Sequence, residues 1–213
     1  MKKTKDIFNR LSESMLRIKS MYMRRFVEHG WKMNPEAIGK KPAIGLCGSG
    51  LIDLTAQLCR IGYIDENGKM DSRQENPQIF MLVSPEDSGN GKGVYLTQKD
   101  IGEVQLAKAA IAAGIQLLMK ELEISEKDIQ TVYIAGAFGN YMDPVSAGRI
   151  GMFPASLIPK VRAVGNAAGE GAKIAPLNKK ELEQMDELVK RISFVELAAS
   201  PDFQDCFIDE LCF

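Results

Sequence analysis

Val132-Tyr-Ile-Ala-Gly-Ala-Phe-Gly-Asn-Tyr-Met-Asp-Pro144 opens as a short apolar strand and closes as the start of a helix. The strand is predicted over Thr131 to Ala135 and the turn over Gly136-Ala-Phe-Gly139. The helix follows from Asp143 as cap, with Pro144 at the first position, where a missing N–H costs nothing. A strand that stops at two glycines leaves bare backbone at the carboxyl edge of a sheet, and open α/β sheets bind their ligands there. Gly136 and Gly139 carry no side chain, so a flat aromatic or sugar ring can approach the main chain. Glycine also accepts the positive φ that such a turn often needs. A tight strand-to-helix turn with no ligand fits the same spacing.

On either side of this stretch the chain alternates short strands with helices, which predicts an α/β or α+β class. Gln78 to Ser84 and Val94 to Leu96 read as strands joined by the polar loop from Ser84 to Gly93. Thr97, with Asp100 three positions on, opens the longest helix, whose predicted stripe is Ile101, Val104, Ile111, Ile115, Leu118 and Leu122. The alanines from Ala107 to Ala113, with Gly114, suit close packing against another backbone. Val161 to Val164 is a further strand that leads into Gly165-Asn-Ala-Ala-Gly169 and a small-residue helix through Ala175. Asn178 with Glu181 caps the next helix, with Leu182, Met185, Leu188 and Ile192 predicted to face inward. Phe194 to Leu197 reads as a strand, and Ser200-Pro-Asp202 begins the last helix, with Phe203, Phe207 and Leu211 on one stripe.

Upstream, Ala43 to Leu46 is a short strand at most and meets Gly45, Gly48 and Gly50 before a helix from Leu51 to Ile61, which Gly62 ends. Glycines before a helix N-terminus offer free N–H groups to an anion, so Gly48, Ser49 and Gly50 are candidate phosphate-side residues. The G-x-x-G-x-G spacing is not the dinucleotide fingerprint, and no Gly-Lys-Ser or Gly-Lys-Thr marks a Walker loop. Cys47 has no histidine near it in sequence and reads as a packing residue. Residues 1 to 29 place Leu11, Met15, Ile18, Tyr22 and Phe26 on one face between lysines and arginines, an amphipathic basic helix ended by Gly30. Such a helix lies on a membrane, binds a partner, or packs on its own or a sister domain with its charged face solvated. Trp31 to Pro42 reads as a linker, so the expected division is residues 1–41, helix and linker, and residues 42–213, one lobe.

The 213 residues suffice for a sizeable core, and a formal net charge of −1 gives no reason to expect nucleic acid or an acidic substrate. Charge is uneven, with eleven Lys or Arg against four Asp or Glu in the first 41 residues. No apolar run reaches the roughly 18 to 20 residues of a membrane span, and no signal-peptide pattern opens the chain, so a cytoplasmic location is expected. Cys47, Cys59, Cys206 and Cys212 form no C-x-x-C pair and the chain has one histidine. That disfavours a zinc site or an iron–sulfur cluster and predicts buried, reduced thiols.

Ile134-Ala-Gly-Ala-Phe-Gly-Asn-Tyr-Met-Asp-Pro144 resembles the adenosine-side loop of the acetate and sugar kinase, Hsc70 and actin superfamily. More narrowly, it is similar to the C-terminal domain of ATP-dependent reductive activators of corrinoid proteins, the RACo and RamA type. Gly45-Leu-Cys-Gly-Ser-Gly-Leu-Ile-Asp53, Val164-Gly-Asn-Ala-Ala-Gly-Glu-Gly-Ala172 and Glu196-Leu-Ala-Ala-Ser-Pro-Asp-Phe-Gln204 fit the same family in the same order, from about Pro42 to Phe213. The resemblance implies the C-terminal lobe of an actin-like (ribonuclease H-like) ATPase fold. It implies ATP or ADP as ligand, with magnesium a further candidate. Gly136, Ala137 and Gly139 would give backbone contact, Phe138 and Asn140 would shape the pocket, and Asn166 would form the far wall.

In that superfamily a second lobe supplies phosphate hairpins, each an acidic residue followed by glycine and a Thr- or Ser-type donor. No Asp-x-Gly-Thr turn occurs in this sequence, and phosphoryl transfer depends on charge neutralisation and positioning at the phosphates. No catalytic residue and no metal ligand is therefore assigned. The resemblance implies a corrinoid protein or a separately encoded N-terminal half as partner, and an exposed apolar face that invites homodimers. The alternative function is a protein-interaction module that keeps the fold without binding nucleotide.

Overall fold

The computed structural model describes residues 42–71, 78–136 and 141–213. The basic segment 1–41, read above as amphipathic helix and linker, lies outside them. The first helix, α1 (Gly48–Arg60), begins earlier than the glycines suggested, with Cys47 as its extended N-cap. Glycine is tolerated there because the first-turn N–H groups have no partner within the helix in any case. Gly62 follows its end with φ +72° and donates to the Cys59 carbonyl at 3.0 Å, the left-handed stop predicted from sequence. Ala43 to Leu46 is no strand: it joins no ladder, and the Ala43 carbonyl accepts a single bond from the Gly89 N–H at 2.9 Å.

The hairpin of β1 (Ile79–Val83) and β2 (Val94–Thr97) is antiparallel, with Phe80 opposite Leu96 and a register shift between Met81 and Val83. Alternation decides its faces. Phe80, Leu82, Val94 and Leu96 are buried, whereas Met81 and Tyr95 point outward. Helix α2 (Gln98–Glu121) starts at a reciprocal cap: the Asp100 N–H donates to Thr97 Oγ1 at 3.2 Å, and Asp100 Oδ2 accepts from the Thr97 N–H at 2.8 Å.

The quoted stretch folds as expected at both ends. Strand β3 (Val132–Ala135) precedes the turn, and α3 (Pro144–Arg149) follows it. Asp143 caps α3 through Val145 N at 3.3 Å, Ser146 N at 3.1 Å and Ser146 Oγ at 2.9 Å. A 3-10 turn (Ala155–Lys160) leads into β4 (Val161–Gly165), which pairs parallel to β3. Then come α4 (Ala167–Ile174), α5 (Lys179–Val189), a short 3-10 turn (Leu197–Ala199) and α6 (Phe203–Asp209).

The core has two clusters, and α1 feeds both. Its Leu54 and Leu58 join Tyr63, Phe80, Leu82 and Leu96 in the first, while Ile52 and Ala56 join Val104, Ile150, Phe153 and Leu157 in the second. Helix α2 is shared likewise, through Ile101 in the first and Val104 in the second. Phe213 packs against both. Because every residue of α1 from Ile52 to Leu58 is buried, its polar residues Asp53, Thr55 and Gln57 are carried inside as well.

Four further expectations are corrected. Ile111, Leu118 and Leu122 of the α2 stripe are exposed, because α6 packs on α2 and the second cluster takes only Val104 and part of Ile115. Leu182 and Leu188 of α5, and Ile192 just beyond it, do not face inward but stand 43%, 55% and 73% exposed, since no described element covers that helix. Phe194 to Leu197 forms no strand, and Phe194 is 83% exposed. The thiols are free, but Cys47 and Cys212 are exposed rather than packed, Cys47 because it caps α1 at the surface. Helix α2 alone among the described residues has the length and apolarity to cross a membrane, and its Ile101, Ala109 and Ala113 sit in the protein interior.

Candidate functional site

Parallel pairing brings the ends of β3 and β4 together. Tyr133 lies opposite Arg162 and Ile134 opposite Ala163, and after a register shift Ala135 lies opposite Gly165. The next residues, Gly136 and Asn166, therefore emerge side by side at the carboxyl edge. Both strands end in left-handed glycine, Gly136 at φ +78° and Gly165 at φ +60°. An L-residue resists that conformation by about 1–2 kcal/mol, so two adjacent strands turning this way mark a sharply cut edge. A Cβ built on Gly136 would meet nothing within 4 Å. The glycine is thus not demanded by a neighbouring atom, and room for a methyl group lies beside its Cα.

Ala137, Phe138, Gly139 and Asn140 lie outside the described residues. Beyond them Tyr141 is 49% exposed, Met142 packs on the second cluster and the three-point Asp143 cap fixes the exit of the turn.

Asn166 stands beside the end of β3, and its side chain has a structural duty. Its Oδ1 accepts from the Gly169 N–H at 3.1 Å, capping α4, and its Nδ2 lies where a Cβ on Gly169 would come within 2.4 Å. Gly169 is required by that folded-over amide. Asn166 therefore shapes the edge chiefly by starting α4 beside Gly136. Gly165 was missed from sequence as a site residue, although its place directly before the Asn166 cap was visible there.

Gly48, Ser49 and Gly50 lie on a different element, the first turn of α1, and α1 packs on α3. Cys47 makes no side-chain cap bond and no acidic residue sits in the first turn of α1, so among the described residues no charge in that turn opposes its leading N–H groups and dipole. Ser49 is 7% exposed and its Oγ lies 3.3 Å from Cys47 Sγ. This arrangement can accept an anion. Among the described residues no group of three or more His, Cys, Asp or Glu is placed to hold a metal.

Comparison with known proteins identifies the family. Residues 14–213 match the family described as the C-terminal domain of RACo, the ASKHA domain. The chain is 36% identical over 192 residues to the corrinoid activation enzyme RamQ of Eubacterium limosum, covering 83% of this chain and 32% of RamQ. It is 28% identical over 173 residues to the Co(II) methylated amine-specific corrinoid protein reductase of Methanosarcina barkeri, covering 80% of this chain and 29% of that protein. A solved reductive activator for corrinoid, iron-sulfur protein superposes with a TM-score of 0.79 at 35% identity, over 86% of this chain and 31% of that one. The chain spans about a third of the length of the curated relatives it matches. It is mixed α/β, of the actin-like ASKHA type, and it belongs to the family of C-terminal ASKHA domains of corrinoid reductive activators.

Proposed function

We propose that this chain is the nucleotide-binding C-terminal lobe of an ATP-dependent reductive activator of corrinoid proteins, working in the cytoplasm. The observation that carries this is the pair of parallel strands ending side by side on left-handed glycines, with open backbone at Gly136. Gly136 to Asn140 and the start of α4 at Asn166 would hold the adenosine, and the first turn of α1 would face phosphate. The phosphate hairpins and the iron–sulfur centre are supplied by the remaining part of an activator, on the same or on a separate polypeptide. Magnesium would follow the phosphates.

The reaction served is return of an inactive cobalt(II) corrinoid to cobalt(I) by a low-potential electron, in a corrinoid protein that works with a methyltransferase. Nucleotide contributes binding energy that shifts the activator between conformations or changes its affinity for the corrinoid protein. None of the residues present acts on the γ-phosphate, so this chain alone binds without turnover.

Calorimetric titration of the chain with ATP and ADP, with and without magnesium, tests this. Binding that is equal for ATP and ADP and indifferent to magnesium is the expected result, because the γ-phosphate and its magnesium would be held by hairpins of the other lobe. Absence of binding to either would overturn it and leave a protein-interaction module that keeps the fold without the ligand.

A further inference from the structure

Lys108 is the largest fully buried side chain among the described residues, and three parts of the chain meet at its ammonium. The first is the segment after α6: the Cys212 carbonyl accepts from Nζ, and the Glu210 carboxylate stands 3.9 Å away. The second is the bend after α3, where a Cβ built on Gly151 would come within 3.0 Å of Nζ. Gly151 also has φ +75°, so the position resists a side chain on two counts. The third is α2 itself. Its Val104, one turn before Lys108 on the same face, packs in the second core cluster with Ala147 and Ile150.

From Gly151 the main chain leads back to the exit of the strand-to-helix turn. The Gly151 N–H closes on the Gly148 carbonyl at 3.1 Å, the Met152 N–H donates to the Ala147 carbonyl at 3.0 Å, and the Ala147 N–H donates to the Asp143 carbonyl at 3.0 Å. The path from the ammonium to Asp143 is therefore short, and Asp143 is the cap that follows Tyr141 and Met142 out of the turn. Ser146, Ala147 and Ile150 are completely buried, so this six-residue helix shifts as a body when its end is released. On the other side of Lys108, the Phe213 N–H donates to the Glu66 carbonyl at 2.8 Å and its ring packs against both core clusters.

We propose that Lys108 is a positioning residue for the candidate nucleotide turn: its ammonium, held between the Cys212 carbonyl and Gly151, fixes α3 and with it the exit of the turn at Tyr141 to Asp143. The effect on ligand rests on the nucleotide reading given above, whereas the coupling of Lys108 to Tyr141 exists without ligand. Taking a charge out of water is costly unless its partners are well placed, so the ammonium selects one arrangement of α3 against the segment after α6. Without it the end of α3 is free to shift, and a nucleotide must then order a turn that it otherwise finds ready. By reciprocity, nucleotide at the turn tightens the seating of the segment after α6.

The test labels the whole chain with meta-fluorotyrosine, identifies the Tyr141 fluorine resonance by its loss in Tyr141→Phe, and titrates ATP by calorimetry. Lys108→Met keeps the volume and removes the ammonium. It is expected to move the Tyr141 resonance in the absence of ligand and to weaken ATP binding about tenfold. Gly151→Ala, which drives a methyl group against Nζ, is expected to move the same resonance and decides the matter should Lys108→Met not fold. Gln105→Ala is the control, because Gln105 holds the same segment through the Leu211 carbonyl at 2.9 Å and bonds otherwise to the Asn67 carbonyl at 3.1 Å. It is expected to lower the melting temperature with the Tyr141 resonance and the ATP affinity unmoved. A lysine that merely fastens the segment after α6 would behave as this control does. A Tyr141 resonance unmoved in the folded variants, an ATP affinity of Lys108→Met equal to wild type, or a Gln105→Ala shift as large as that of Lys108→Met overturns the proposal. Should wild type bind no ATP, the nucleotide reading fails by itself and the Tyr141 resonance still decides the role of Lys108.

Discussion

The ammonium of Lys108 lies inside the protein and donates to the backbone carbonyl of Cys212. Its side chain is 1% exposed, and the Glu210 carboxylate stands 3.9 Å away. Together with Gln105, whose Nε2 bonds to the Leu211 carbonyl at 2.9 Å, it fastens the segment after α6 to α2. Burial lowers the Lys108 pKa from the ordinary 10.5, with the Glu210 carboxylate pulling the other way.

Lys108→Ala is expected to cost about 3 kcal/mol in urea unfolding, from a cavity and an orphaned carbonyl. Lys108→Met, which keeps the volume and removes the buried charge, is expected to cost about half as much. The folded state binds fewer protons than the unfolded one between the lowered value and 10.5, so wild type gains on Lys108→Met as pH rises through that window.

Cys59 moves the opposite way. Burial first, then the Asp65 carboxylate, push its thiol up from 9.0 to about 12. The folded state holds a proton that the unfolded state releases, so stability from this group is complete below pH 9.0 and is lost toward about pH 12. Cys59→Ala should remove that part of the alkaline decline. With iodoacetamide at neutral pH, mass spectrometry should find exposed Cys47 and Cys212 modified well before Cys59.

Thr97→Ala removes the acceptor for the Asp100 N–H and half of the reciprocal cap of α2. A loss of about 1 kcal/mol is expected, read as a lower melting temperature with nucleotide binding unaltered.

Gly136→Ala and Gly165→Ala each place a methyl group on left-handed backbone, at φ +78° and +60°. Each should cost about 1 kcal/mol of stability. Since the Gly136 Cβ would meet no protein atom within 4 Å, additional loss of ATP affinity in calorimetry would show a ligand where the methyl points. Unchanged affinity would count against contact at this position.

How much of this was legible in the sequence depended on whether the deciding partner lies nearby in the chain. Asp143, Asn178, Thr97 and Gly62 were readable because a cap or a left-handed stop involves residues two to four positions away. Strand β3 was legible from its short apolar run ending at Gly136. The inward face expected of Leu182, Leu188 and Ile192 failed because periodicity states which residues share a face, and burial needs something to cover it. Leu118 and Leu122 failed likewise. The neighbourhood of Gly136 and Asn166 was hidden until the parallel register placed Ala135 opposite Gly165, a relationship between residues thirty positions apart.

Helix α1 gives Leu54 and Leu58 to one cluster and Ile52 and Ala56 to the other. A helix buried on opposite sides at successive residues cannot let go of one cluster while remaining seated in the other. The hairpin and the strand-to-helix half should therefore lose their structure in a single transition rather than in turn. Truncating Ile52 and Leu54 together should depart from the sum of the separate effects, because one rigid rod transmits each loss to the opposite side.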